Sequence, residues 1–119
     1  MTLAAAQTLH YIAGNRVQLE FTVELGGSAI PLNGMDIRFV AANSSLDAVL
    51  STEDSSQSAV VTVTDAEGGE FTVTIEAQYT APLLGTYRWQ CEIEDSNGGI
   101  STVARGFLTF SRNLISTTS

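Results

Sequence analysis

The sequence predicts an all-β fold: an antiparallel sandwich of seven to eight short strands with one short helical turn. Three observations carry that prediction. Apolar and polar residues alternate with a period of two through residues 16–25, 35–42 and 85–94, the pattern of strands with one buried and one wet face. Clusters of Gly, Asn, Asp and Ser interrupt these runs at short intervals, which is turn chemistry. The single plausible helical stretch, 77–84, contains Pro82 and stops at Gly85, too short for more than one turn.

The chain is organised around residues 85–94, Gly-Thr-Tyr-Arg-Trp-Gln-Cys-Glu-Ile-Glu. Tyr87, Trp89, Cys91 and Ile93 share one face, while Thr86, Arg88, Gln90, Glu92 and Glu94 share the other. This segment holds the only Trp and the only Cys, so it reads as the central strand. Before it, residues 7–12 form a short edge strand ending at Ala13-Gly14-Asn15. The clearest alternation then runs from Arg16 with Val17, Leu19, Phe21, Val23 and Leu25 inward. Pro31 lacks a ladder donor and places 29–32 at an edge or in a crossover, and Asn33-Gly34 is a turn pair. Met35, Ile37, Phe39 and Ala41 face inward on the next strand, followed by a loop at 43–45, a weak strand at 46–52 and a polar surface loop at 53–58. Segments 59–64 and 70–76 flank Asp65-Ala66-Glu67-Gly68-Gly69 as a hairpin, with Val61 and Val63 inward on one arm and Phe71, Val73 and Ile75 on the other. The central strand pairs through an Asn-Gly turn with 100–110, inside which Gly106 marks a bulge or a close backbone approach. The expected organisation is an arm at 1–6, a sandwich at 7–111 and a tail at 112–119. A sandwich of this strand count and turn spacing is of the immunoglobulin-like kind.

Length and composition narrow the function. A chain of 119 residues matches one domain and buries about two-thirds of its unfolded surface. It needs no disulfide, and Cys91 reads as a small inward hydrophobe. Thirteen acidic residues stand against five basic ones, all Arg, for a net charge of −8. Nucleic-acid binding needs a basic stripe and an anionic membrane repels such a chain, so neither is expected as a partner. The first residues lack the basic and apolar pattern of a signal peptide, so production in the cytoplasm is expected.

Catalytic residue types are scarce. His10, the one His, falls on an edge strand with no nucleophile elbow anywhere in the chain. Glu92 and Glu94 share the wet face of one strand, as do Glu20 and Glu24 of another. A glycosidase needs carboxylates facing each other across a cleft, and a solvated face with Arg16, Arg38 and Arg88 as cross-strand partners suits these better. The acidic turns at 65–70 and 94–97 lack the fixed spacing of a calcium loop, and one Cys with one His cannot make a zinc site. No catalytic residue, metal or cofactor is expected. A glycan platform would need exposed rings, and Tyr11 and Tyr79 are scattered while the other aromatics fall at or beside inward phases.

The order of segments NRVQLEFTVEL, AIPLNGMDIRFVA, VTVTDAEGGEFTVTIEA and LLGTYRWQCEIEDSNGGISTVARGFLTF resembles the immunoglobulin-like N-terminal module of baseplate upper proteins and related tail or fibre proteins of tailed bacteriophages. The resemblance spans about residues 8–110. It rests most on the Pro-Leu-x-Gly segment, the D-x-x-x-G-x-F-T-V hairpin and the Gly-Thr-Tyr strand with its Asn-Gly turn. It implies a non-catalytic structural component of a phage virion: a tail, baseplate or fibre-junction accessory. The alternatives are a capsid decoration protein and a host-surface or carbohydrate-binding module with a pocket near 44–47 or 53–58. Other virion proteins, in multiple copies of a symmetric assembly, are the partners it implies. Contacts are expected through sheet edges and terminal arms, with Leu3, Leu9, Tyr11, Leu114 and Ile115 as apolar anchors, and through an outward charged ladder of Arg88, Glu92 and Glu94.

Overall fold

A computed structural model describes residues 7–53, 57–112 and 114. The alternating segments become strands in two sheets. One sheet has five strands: β1 (Gln7–Ile12), β5 (Asp36–Ala42), β6 (Ala48–Ser51), β9 (Gly85–Glu94) and β10 (Ile100–Ser111), in the order β1-β10-β9-β5-β6. The other has β2 (Val17–Thr22), β7 (Val60–Asp65) and β8 (Glu70–Ile75), in the order β2-β8-β7. Two-residue strands β3 (Glu24–Leu25) and β4 (Ser28–Ala29) pair as a separate small hairpin. Every ladder is antiparallel except β1 with β10, which is parallel. β9 lies at the centre of the larger sheet, and its alternation becomes Trp89, Cys91 and Ile93 buried with Gln90 and Arg88 exposed.

The inner faces of the two sheets close over one core that includes Phe39, Phe71, Leu50, Ile75 and Phe110. Trp89 lies at its middle. The register puts Ala41 on one side of it and Gly106 on the other, both on the same face, and these small neighbours leave room for the indole. Its ring meets Phe39 of the same sheet at 5.9 Å and Phe21 of the opposite sheet at 5.5 Å, while Phe21 stacks on Phe71 at 5.0 Å. The sheets are thereby joined through aromatic contact, at the separations such rings favour.

Two polar devices fix the connections. The helical turn α1 (Ala77–Thr80) carries Thr80 into full burial. Its Oγ1 accepts from the Gly14 N–H at 3.0 Å and donates to the Asn15 carbonyl at 2.7 Å, tying α1 to the β1–β2 turn. At the start of β9, the Tyr87 hydroxyl donates to the Leu84 carbonyl at 3.0 Å and receives the Leu84 N–H at 3.2 Å.

The structure corrects several expectations. The run 16–25 is broken at Val23, whose N–H turns to the Gly69 carbonyl while its carbonyl receives the Ile30 N–H. Gly69 stands against this break at φ +69°, where an added Cβ would come within 2.6 Å of the Val23 carbonyl oxygen. Leu25 falls outside the described side chains. Val63 is exposed and Val61 only half-buried, because β7 is an edge strand and its ladder slips between Val63 and Asp65. The bulge in β10 lies between Thr102 and Ala104, not at Gly106.

Replacing Trp89 by Ala should cost about 3–5 kcal/mol, the usual range for an emptied aromatic core site, read by urea unfolding followed by circular dichroism. Gly69→Ala should also destabilise, by roughly 1–3 kcal/mol, since it adds left-handed strain to a backbone clash. Burial, helped by the Glu92 charge, pushes the Cys91 thiol up to about 12. In the unfolded chain the thiol deprotonates near 8.5, so between about pH 9 and 12 the unfolded state binds fewer protons and stability falls with rising pH. Cys91→Ser would remove that slope, and a thiol reagent at pH 8 should label the native wild type only as fast as it unfolds.

Candidate functional site

The outward face of the five-stranded sheet gathers most of the chemistry left exposed. Its ladder pairs side chains into rows across β10, β9 and β5. These rows are Phe107–Arg88–Ala42, Arg105–Gln90–Val40, Thr102–Glu92–Arg38 and Ile100–Glu94–Asp36. A shallow depression of about 760 Å³ runs from the Phe107–Arg88–Ala42 row down to Glu92 and Arg38 and is bordered by Leu46 of the β5–β6 turn and by Glu53.

The bulge at Val103 creates this face. Val103 and Ala104 are both buried, so the alternation of β10 changes phase there. Strict alternation from Ser101 would turn Arg105 and Phe107 into the core. The extra residue instead directs them outward and sends Leu108 and Phe110 inward. Phe107 remains 42% exposed. Sequence reading missed it because Phe107, Leu108 and Phe110 fit either phase; the adjacent apolar pair Val103-Ala104 was the signal available.

The lower rows form one ion-pair network around Arg38. Its guanidinium binds Glu92 Oε1 at 3.2 Å, Asp36 Oδ2 at 3.1 Å, Glu53 Oε1 at 3.6 Å, and also Glu94 Oε1. Hydrogen bonding to Glu94, then to Glu92, raises the Arg38 pKa further above its already high value. Four carboxylates around one guanidinium leave this end strongly negative. The upper end is opposite in sign: among the described residues, Arg88 and Arg105 form no ion pair. Arg88, Glu92 and Glu94 all stand on the outward face of β9. The two carboxylates bind Arg38, while Arg88 lies two rows from Glu92 beside Phe107 and Ala42.

Leu46 adds a second unusual feature. It is 72% exposed and its backbone has φ 65°, a conformation a leucine adopts only under strain. Asn43 holds the turn, its Oδ1 receiving the N–H groups of Ser45 and Asp47 at 2.9 and 3.0 Å.

The other expected positions separate. Leu9 and Tyr11 are half-buried and pack on the core. Tyr11 lies 6.3 Å from Phe110, and burial raises its pKa. Leu114 is almost fully exposed, whereas Leu3 and Ile115 lie outside the described residues. His10 is exposed on β1 opposite Thr109. The turn aspartates serve their own backbone: Asp65 Oδ1 accepts from Gly68 N–H, and Asp95 Oδ1 from the N–H groups of Asn97 and Gly99. Among the described residues no group of three or more His, Cys, Asp and Glu is arranged to hold a metal.

No protein-family model matches the chain, and no curated protein does. Solved structures do match. The natural cytotoxicity receptor NKp44 of NK cells aligns with 91% of this chain and all of its own, at 18% identity and a TM-score of 0.55. CopC from Methylosinus trichosporium OB3b aligns over 95% and 97%, at 17% identity and 0.51. A chain in the complex of ICOS with ICOS-L and an anti-ICOS-L VNAR domain aligns over 91% and 55%, at 16% identity and 0.52. At such identities the likeness concerns the fold, and the fold is an immunoglobulin-like β-sandwich.

Arg38→Met should lower the melting temperature by leaving four carboxylates facing one another. The deficit should be greatest at low ionic strength and shrink in 1 M NaCl, where the Debye length is about 3 Å, and again at acid pH, as thermal scans across salt and pH would show.

Proposed function

We propose that this chain is a non-catalytic structural component of a bacteriophage particle, working through protein–protein contacts at the outer face of its five-stranded sheet. The phage setting is supported by the sequence resemblance over residues 8–110. The mode of action is supported by one observation above the rest: Phe107, Leu46, Arg88 and Arg105 stand together on that face, exposed and without ion pairs among the described residues. Exposed aromatic and Arg side chains in one patch are the composition of binding hot spots. Leu46 adds an exposed apolar side chain, held at φ 65°, to the same patch.

The single thiol is buried and held protonated, and the carboxylate cluster is neutralised in part by Arg38 at its centre. The net charge of −8 adds attraction for basic partner surfaces.

Quantitative mass spectrometry of purified particles from the host that carries the gene tests the proposal. The chain should be present at a fixed copy number per particle, and its absence from particles would overturn the virion role. In the same particles Phe107→Asp should reduce incorporation at least tenfold while leaving the melting temperature within a few degrees of wild type. Normal incorporation of that variant would shift the contact away from this face.

A further inference from the structure

We infer that the occupant of the outer face is a second copy of this chain, docked face to face in a two-fold dimer with its strands reversed. The inference rests on the reading of this face as a protein contact and names the partner.

The face is self-complementary in charge. Arg88 and Arg105 give its upper end two positive charges, while Asp36, Glu53, Glu92 and Glu94 around Arg38 leave its lower end three negative. A foreign partner would have to match both ends. A copy reversed along the strand direction matches them without further requirement, because each positive end meets a negative one and the interface is isologous.

The register gives the pairing in more detail. A two-fold axis in the plane of the interface, perpendicular to β9 at the level of Cys91, exchanges the Phe107–Arg88 row with the Ile100–Glu94 row. Arg88 then opposes Glu94 of the other copy. Phe107 opposes Ile100, itself 56% exposed on the same face of β10. One operation thus pairs Arg88, one of the two arginines without an ion pair among the described residues, and covers both exposed apolar side chains of β10, twice per dimer. The parallel axis would instead bring Arg88 to Arg88 and Glu94 to Glu94, which like-charge repulsion opposes.

The size suffices. Five strands about 4.8 Å apart and a central strand rising about 3.4 Å per residue give a face of roughly 20 by 34 Å. That is close to the ~800 Å² per partner of a standard stable interface.

Sedimentation velocity on the full chain between about 1 and 100 μM, where interfaces of this size and modest quality associate, tests the inference. Wild type should sediment as a dimer. Arg88→Glu and Glu94→Arg should each sediment as monomers, and an equimolar mixture of the two should regain the dimer, because both of its charge contacts are then of opposite sign. Phe107→Glu and Ile100→Lys form a second such pair that leaves the Arg38 network untouched, should Glu94→Arg perturb folding. A wild type that stays monomeric throughout, or mixtures that fail to re-associate, would overturn the dimer. Particle incorporation could still succeed in that case, so the two readings fail separately.

Discussion

The contact of Trp89 with Phe21 across the sandwich carries the structure. Domains of this architecture commonly join their sheets by a disulfide packed on a Trp, with a tyrosine two residues before the second Cys whose hydroxyl returns to the backbone. Here that hydroxyl is on Tyr87, bonded to Leu84, and the residue two positions later is Trp89. A ring stands where the disulfide would, meeting Phe21 and Phe39. The cross-link is replaced by aromatic burial, and the lone Cys91 becomes one more core side chain, fully buried.

Placing an indole there constrains its neighbours. The strands flanking Trp89 present Ala41 and Gly106 at the same level, and larger residues would contest the space in an interior packed near crystalline density. The indole N–H has no partner among the described residues, a cost of about 1–3 kcal/mol that the buried area must offset. The core therefore accepts a polar defect to hold the two sheets together without a covalent bond.

The same strand supplies both the core and the outer face, so the two are coupled. β9 sends Trp89 and Cys91 inward and Arg88, Glu92 and Glu94 outward. Whatever fixes the depth of Trp89 also fixes the rows on the other side. The bulge in β10 then decides which residues complete those rows. Function in such a sandwich follows from what its regular scaffold leaves outside, and here that is a face graded from positive and apolar to negative.

The sequence by itself determined most of the strands and turns, the central position of residues 85–94, and the inward set Trp89, Cys91, Ile93, Phe39 and Phe71. Period-two alternation is a local property, and turn chemistry bounds it, so both can be read without the fold. The division of carboxylates to the outward face was legible for the same reason. The tertiary structure alone decided the break at Val23, the exposure of Val63, the grouping of Asp36, Glu53, Glu92 and Glu94 on Arg38, and the exit of Phe107 to the surface. These depend on edge position, on cross-strand register and on one bulge. Each is set by pairing between segments distant in sequence, where a shift of a single residue exchanges the two faces of a strand.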